Sequence, residues 1–214
     1  MQLFDKIFDY LGLALIIVNC ILYVYSLRKD SPKSFKLFTL YLVVSCIIFI
    51  IMFALAVYEL PNLFLSHYYF ISQFVLLSLF YKQLFRDNQK KLVNFIGVIV
   101  ISALLIQYTI QPERYFSFNT LEIFLTNTPL VLYAIIHLYN SLASPGKYMY
   151  INVAVLIYIS SSTLIFILGD YLSGVEPGLI KHIWTLNKVL YVVYLSLILI
   201  EWKKSSLLVR KKLS

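Results

Sequence analysis

The 214-residue chain is 61% hydrophobic and only 13% charged, which is too apolar for a water-soluble domain and typical of a polytopic membrane protein. Its net charge of +8 does not indicate nucleic-acid binding, because no basic stripe interleaved with aromatic residues is present. The apolar runs are about 20 residues long and lack the period-2 alternation of barrel strands. The predicted fold class is therefore all-α, with helices that cross a bilayer.

Seven candidate membrane spans follow one another with short connections, so residues 1–214 are predicted to form one transmembrane domain. The first run is too long for the core of a signal peptide and lacks a small-residue cleavage site, so it is interpreted as a helix. Pro129 lies inside the fifth run and predicts a kink there. The predicted spans are Phe8–Leu27, Phe35–Tyr58, Leu63–Phe85, Leu92–Gln111, Asn119–Tyr139, Tyr148–Leu172 and Leu179–Trp202.

Basic residues set the predicted orientation. Fourteen of the eighteen Lys and Arg residues lie in the loops after the first, third and fifth spans or in the C-terminal tail. By the positive-inside rule, the N-terminus is predicted to lie outside and the C-terminus in the cytoplasm. We therefore expect a multi-pass protein of the cell membrane, or of the inner membrane if the source is Gram-negative. Its first predicted partner is the lipid bilayer, including anionic lipid.

Matches between spans indicate an internal duplication. His67 and Gln73 in the third span match His182 and Lys188 in the seventh at a constant offset of 115. Further matches join the first span to the fifth, at offsets of 110 and 113, and the second to the sixth, at an offset of 117. Each matched pair runs in the same predicted direction, as in parallel repeats, which predicts a 3+1+3 arrangement around the fourth span. Chance similarity in a chain rich in Leu, Ile and Tyr is the alternative.

This plan resembles the SWEET and PQ-loop group, which includes sugar facilitators and the receptor for lumenal retention signals. The resemblance covers topology and length only. The Pro-Gln signature of that group is absent, since Pro129 is followed by Leu130 and Asn19 stands at the matching point of the first span. The segments LSHYYFISQFVLLSLFY and YINVAVLIYISSSTLIFILGDYL look like those of an uncharacterised family of small bacterial seven-helix membrane proteins. This second resemblance implies the fold and no particular activity.

The functional prediction is built around Lys188. This residue lies about a third of the way into the seventh span, where a charged side chain costs at least about 2.5 to 3.5 kcal/mol. We therefore expect Lys188 to have a partner or a wet cavity, and its helix face to look inward. The residues of that face are Trp184, Lys188, Tyr191 and Leu195, with Asn187 beside it.

An outward-opening polar pocket is the resulting prediction. Glu122 and Asp170 are the only carboxylates expected near the depth of Lys188, and the histidines of the third and seventh spans lie near the outer face. The predicted ligand-binding residues are His67, Gln73, Glu122, Asn127, His182, Trp184, Asn187, Lys188 and Tyr191. The alternative is a structural Lys188–Glu122 ion pair with amide cross-links between helices.

Enzyme and cofactor functions find less support, so no catalytic residue, cofactor or metal is predicted. Microbial-type retinal proteins carry carboxylates on the third helix, and the third predicted span has none. A zinc site needs three converging ligands, whereas His137 lies about 22 Å along the helix axis from Glu122. Cys20 and Cys46 lie within predicted spans and suit packing rather than a disulfide. Hydrolysis by a serine of Ser160–Ser162 stays open as a minor alternative.

Three functional classes remain. Polar positions cluster in the outer halves of the spans, whereas the inner halves of the third and seventh spans are nearly all apolar. A one-sided pocket favours a membrane sensor or receptor that binds a small ligand. The positive charge of Lys188 favours an anionic ligand. Such a sensor signals through a separate cytoplasmic or membrane partner. The alternatives are a small-solute transporter with two rocking repeats and a structural or assembly subunit of a membrane complex.

The predicted topology can be tested by cysteine-accessibility labelling in intact cells. Cysteines introduced beside Lys33 and Lys90 should resist an impermeant reagent added from outside, because both loops are predicted to be cytoplasmic. Efficient labelling of either loop from outside contradicts the orientation.

Overall fold

The computed structural model describes residues 2–143, 146–172 and 177–213, and every regular element in these ranges is helical. Seven α-helices and one 3-10 segment are present in them. These are α1 (Gln2–Tyr25), α2 (Lys33–Val57), α3 (Leu65–Leu84), α4 (Asp87–Ile110), the 3-10 segment (Pro112–Phe116), α5 (Thr120–Ala143), α6 (Met149–Leu172) and α7 (Pro177–Leu213). Each predicted span overlaps one α-helix, so the all-α prediction is confirmed.

The helices differ from the predicted spans mainly at their ends. α4 begins at Asp87 rather than Leu92, and α7 continues past Trp202 to Leu213. Hydropathy marks only the part of a helix that suits hydrocarbon, whereas backbone hydrogen bonding continues into polar flanking residues. At the start of α4, the backbone N–H of Arg86 donates to the Gln89 side chain at 3.1 Å, which stabilises a polar first turn.

Six of the described helices are long and apolar enough to cross a membrane, which supports the membrane-protein prediction. The exception is α3, whose 20 residues include His67, Gln73 and Ser78 as buried polar side chains. Because these side chains face protein rather than lipid, the lower apolar content of α3 does not argue against a crossing. Seven crossings and their orientation stay predictions.

Contacts between residues divide the chain into two compact units. The terminal unit comprises Met1–Leu27 and Ala134–Ser214, and it contains α1, α6, α7 and the end of α5. The central unit comprises Arg28–Tyr133, and it contains α2, α3, α4, the 3-10 segment and the start of α5.

In the terminal unit, α1 and α7 pack side by side in the same direction. The contacts that join them advance together along both helices. In order they are Asp5 with Thr185, Asp9 with Lys188, Gly12 with Tyr191, Asn19 with the Leu195 carbonyl, Tyr23 with the Ile198 carbonyl, and Trp202 with the Leu22 carbonyl. α6 runs antiparallel to α7, since Tyr150 near its start contacts Glu201 and Phe166 near its end contacts Trp184.

In the central unit, α3 packs against both α2 and α5. α2 is antiparallel to α3, since Phe38 contacts Phe80 and the later residue Tyr41 contacts the earlier residue Gln73. α5 is parallel to α3, and the contacts between them define the α3–α5 seam: His67 with Glu122, Gln73 with Asn127 and Tyr81 with Tyr133. The seam is polar at its N-terminal end and aromatic further along. Each unit thus contains an antiparallel helix pair, α2–α3 or α6–α7. One further helix in each unit runs parallel to the second member of that pair, α5 to α3 and α1 to α7.

Close packing of α1 on α7 predicts the effect of a side chain at Gly12. A Cβ atom at Gly12 would lie 3.3 Å from Tyr191 Cδ1, whereas one at Gly97 of α4 would meet no atom within 4 Å. We expect Gly12→Leu to lower the unfolding free energy by about 1–3 kcal/mol through overpacking. Gly97→Leu, the matched control, should be neutral or stabilising. Thermal unfolding in detergent measures both, and equal midpoints for the two variants contradict the α1–α7 packing.

Candidate functional site

A buried histidine–carboxylate contact joins the first turns of α3 and α5. His67 Nδ1 lies 2.6 Å from Glu122 Oε2, and the two residues are 4% and 0% exposed. No other ion pair of the described residues is buried to this extent. The contact therefore holds two titratable groups away from water. Their hydrogen atoms need partners within the protein, and these partners determine how many protons the pair carries.

The second imidazole nitrogen fixes the number of protons on this pair. His67 Nε2 lies 3.0 Å from the backbone carbonyl of Tyr115, which can only accept, so Nε2 must donate a hydrogen. One further proton must lie between Nδ1 and Oε2, because two lone pairs at their separation repel and two hydrogens do not fit. The pair is thus imidazolium with carboxylate, or neutral imidazole with carboxylic acid. It is electrically neutral in either form.

Tyr108 completes the contact from α4. Its hydroxyl donates to Glu122 Oε2 and lies 2.9 Å from His67 Nδ1. Asn119 Nδ2 donates to the same hydroxyl oxygen at 3.3 Å, and Asn119 also exchanges two amide hydrogen bonds with Gln107 of α4. We call His67, Tyr108, Asn119 and Glu122 the buried network.

The local sequence positions Glu122 by capping α5. Asn119 immediately precedes the first residue of α5, and its Oδ1 accepts the backbone N–H of Glu122 at 3.2 Å. This is the hydrogen bond from an N-cap side chain to the third residue of a helix. The Glu122 carboxyl group consequently lies in the first turn of α5, where the helix dipole favours a negative charge.

One oxygen of Glu122 has no donor among the described residues. Oε2 contacts both His67 and Tyr108, whereas the buried Oε1 has no hydrogen-bond partner there. A buried acceptor without a donor costs about 1–3 kcal/mol. Since native proteins keep few such atoms, this oxygen is a candidate position for a ligand.

An aromatic roof of Tyr68 and Tyr115 separates the buried network from the surface. The Tyr115 ring, which belongs to the 3-10 segment, stacks on the His67 imidazole with centroids 5.6 Å apart and planes at 25°. The Tyr115 hydroxyl shares a hydrogen bond of 2.8 Å with Tyr68, and this bond raises the pKa of Tyr115 above its ordinary value. Tyr115 is half-buried and Tyr68 is exposed, so solvent reaches the outside of the roof.

A second polar group lies further along the α3–α5 seam. Gln73 Nε2 donates to Asn127 Oδ1 at 3.1 Å, and the Tyr41 hydroxyl approaches Gln73 Oε1 at 3.5 Å. Gln73 and Asn127 are 2% and 1% exposed. Beyond them the unit is closed by side chains that are 0% exposed, namely Leu77, Phe80, Tyr81 and Tyr133. Four of the predicted site residues therefore share this seam: His67, Gln73, Glu122 and Asn127.

Lys188 belongs to the terminal unit and has a partner that the sequence analysis missed. Its Nζ donates to Asp9 Oδ2 at 2.7 Å, with the two side chains 33% and 41% exposed. Thr185, three residues earlier on α7, donates to Asp5. The prediction that Lys188 has a partner is confirmed. The alternative Lys188–Glu122 pair is wrong, because Asp9 pairs with Lys188 and His67 pairs with Glu122.

Asp9 also corrects the expectation about which carboxylates lie near Lys188. Asp9 lies at the start of the first predicted apolar span, and only Glu122 and Asp170 were expected near the depth of Lys188. The first turns of α1 instead carry polar side chains toward α7. The side chain of Asp170 lies outside the described residues.

The other predicted residues lie in the terminal unit with Lys188. Tyr191 is 8% exposed, which agrees with an inward-looking face. Trp184 packs against Phe166 with ring centroids 5.6 Å apart, and His182 is exposed. Asn187 Oδ1 is buried without a hydrogen-bond partner among the described residues. The nine predicted site residues therefore divide between the two units, four in the central and five in the terminal unit.

Three residues of the site escaped the sequence analysis for different reasons. Asn119 followed by Glu122 just before an apolar run is a helix-start signature, so this pair could have been found. Tyr108 and Tyr115 carry no comparable signal. Their positions depend on how the 3-10 segment turns the chain between α4 and α5.

Within the described ranges, no three His, Cys, Asp or Glu side chains lie close enough to hold a metal ion. Comparison with known proteins gives no matching family model, no matching curated protein and no matching solved structure. The site is therefore interpreted from its own geometry, and both resemblances seen in the sequence stay predictions.

The Asp9–Lys188 pair predicts a specific pattern of rescue. Lys188→Met leaves Asp9 without its cation, so the unfolding free energy should fall by about 0.5–1 kcal/mol, as for a partly exposed pair. The double variant Lys188→Met/Asp9→Asn should recover most of this loss, because neither charge is then left alone. Denaturation of the purified variants in detergent provides the measurement. Lys188→Met/Glu122→Gln is the matched control, and recovery in that variant instead would restore the Lys188–Glu122 interpretation.

Proposed function

We propose that the protein is a seven-span sensor of the cell membrane, with its N-terminus outside and its C-terminus in the cytoplasm. It takes up a small ligand at the buried network and passes a helix shift to a separate cytoplasmic or membrane partner. The observation that carries this proposal is the Glu122 carboxyl group, which is 0% exposed and keeps one oxygen without a donor among the described residues. Such a costly arrangement is expected where a ligand completes the hydrogen bonding.

The proposed input site is the buried network rather than Lys188. The charge of Lys188 is already matched by Asp9, so it does not require an anionic ligand. Oε1 of Glu122 requires a donor. The ligand is therefore expected to donate a hydrogen bond to Oε1 of Glu122. A hydrogen-bond donor thus replaces the anion as the expected ligand.

Packing beyond the network favours a sensor. Past Gln73 and Asn127 the α3–α5 seam continues with Tyr81 and Tyr133, whose rings contact each other and which are 0% exposed. Leu77 of α3 is 0% exposed as well, so large side chains fill this part of the unit. A ligand that enters from the polar end is then expected to leave from the same end, as in a receptor.

The parallel helix pairs support seven crossings. α1 and α7 run in the same direction, as their successive contacts show. If α3 did not cross, only six spans would alternate and α1 and α7 would be antiparallel. A crossing α3 of 20 residues restores the observed direction of α1 and α7.

α3 is suited to carry the signal because it packs on several helices. Its first turn contacts Glu122 of α5 and Tyr108 of α4, and its later turns contact α2 through Phe80. A change at His67 therefore acts at once on the ends of two neighbouring helices. Small shifts of packed helices are a common means of transmitting binding across a protein.

A small-solute transporter is the second candidate, and the division into two units favours it. Each unit has the same plan of an antiparallel pair and a parallel third helix, with α5 on α3 in one unit and α1 on α7 in the other. A duplication would produce this plan if the first helix of each repeat packed on the third helix of the other. In transporters built from two repeats, one repeat rocks against the other during transport.

An osmotic swelling assay on proteoliposomes, run with a panel of neutral solutes, separates the two candidates. A sensor should leave the swelling rate in glycerol, xylitol or glucose equal to that of empty liposomes. A facilitator should accelerate it for at least one solute. Accelerated swelling that is lost in Leu77→Trp contradicts the sensor proposal.

Val193→Trp is the matched control for this experiment. Leu77 is 0% exposed on α3, whereas Val193 is 43% exposed on α7. Leu77→Trp should cost about 1–3 kcal/mol through overpacking, and Val193→Trp should be close to neutral. Equal effects of the two changes on stability would remove the argument for a closed seam.

A further inference from the structure

The buried network has an acceptor for which the described residues supply no donor, yet that acceptor lies beneath closely packed side chains. Oε1 of Glu122 is buried, and the Tyr115 ring covers the neighbouring imidazole. A ligand of several atoms would need space beside this oxygen. A proton needs only the acceptor.

We propose that the ligand sensed at the buried network is the proton, which binds at Glu122 Oε1 and opens the aromatic roof. This inference rests on the sensor function proposed above and names its ligand. It assigns the trigger to one oxygen atom and the response to the 3-10 segment that carries Tyr115.

The proton count gives the direction of the response. The resting pair shares one proton between His67 Nδ1 and Glu122 Oε2 and is neutral, as the Tyr115 carbonyl at Nε2 requires. A second proton taken from outer water makes Glu122 a carboxylic acid with its hydrogen on Oε1. Oε2 can then still accept from Nδ1–H. His67 becomes an imidazolium without a counter-charge, so the pair carries a net charge of about +1.

The groups around the pair cannot neutralise this charge. Tyr108 from α4 contacts both members through its hydroxyl, and Tyr115 of the 3-10 segment contacts His67 through its carbonyl and ring. Tyr68 of α3 reaches the pair only through Tyr115. In the described part of the chain, no lysine, arginine or second carboxylate forms an ion pair with His67 or Glu122.

An uncompensated charge at a buried site is strongly unfavourable, and hydration relieves it. The shortest route to hydration is displacement of the half-buried Tyr115 ring, whose partner Tyr68 is already exposed. Gln73 and Asn127 carry no charge and need not separate. Acid is therefore expected to open the N-terminal end of the α3–α5 seam and to leave its aromatic end closed.

A spin label at position 113 tests this response. Glu113 is exposed within the 3-10 segment, and Glu113→Cys can be labelled in a Cys20→Ser/Cys46→Ser background reconstituted in nanodiscs. Between about pH 8 and about pH 4, the label should pass reversibly from an ordered to a mobile spectrum. This transition should be lost in the double variant His67→Gln/Glu122→Gln, since neither amide takes up a proton. Glu59→Gln, which changes an exposed carboxyl group outside the network, should retain it.

Tyr108→Phe provides the test if the double variant does not fold. Removal of the Tyr108 hydroxyl takes one donor from Oε2 and leaves the carboxyl group in place, so the pH at which the label becomes mobile should change. An unchanged transition in either folded variant overturns the assignment to Glu122.

Two probes at constant pH distinguish failure of this inference from failure of the sensor function. Methylammonium chloride offers a donor and a cation, and sodium phosphate offers an anion. If the mobility of the label does not change with pH but changes with either probe, the proton is not the ligand, whereas the sensor proposal still holds. A label that responds to neither pH nor probe overturns both proposals.

Discussion

The contact between His67 and Glu122 is the constraint on which the central unit depends. It holds two titratable side chains out of water, and it is stable only while they share one proton. Buried polar networks of this kind are strong when complete, because the low local dielectric strengthens each bond and penalises each missing one. Tyr108, Asn119 and the Tyr115 carbonyl bring α4, the start of α5 and the 3-10 segment to the same pair. One contact thus fixes the mutual positions of several chain segments.

The terminal unit also contains a pair of titratable side chains, but they are less buried than His67 and Glu122. The ammonium group of Lys188 and the carboxylate of Asp9 are both partly exposed, so water supplies part of their solvation. Further along α1 and α7, neutral hydrogen bonds such as that from Tyr23 to the Ile198 carbonyl replace the ion pair. Charged side chains therefore lie toward the two ends of this helix pair, with Asp9 and Lys188 at one end and Glu201 at the other. This distribution fits a bilayer, where a charge is least costly near the membrane surface.

The sequence predicted those features that depend on local composition. All seven helices follow from runs of apolar residues, and the need of Lys188 for a partner follows from its place in such a run. The identity of that partner does not, because Asp9 is 179 positions away and only the parallel packing of α1 on α7 brings it near. The same limit applies to Tyr108 and Tyr115, whose roles arise from three-dimensional contacts between segments. The assignment of Glu122 to a ligand site stays a prediction, and the alternative in which Glu122 pairs with Lys188 is wrong because His67 is its partner.

Direct measurement of proton uptake tests the central claim, that Glu122 takes up the proton that opens the roof. A pH-indicator dye can record the protons bound when weakly buffered nanodiscs are acidified, for wild-type protein and for the double variant His67→Gln/Glu122→Gln in parallel. Because the other titratable groups are common to both, the difference should be about one proton per molecule, and it should appear over the same pH range as the mobility of position 113. No difference in uptake, together with a roof that still opens in wild-type protein, would contradict the account.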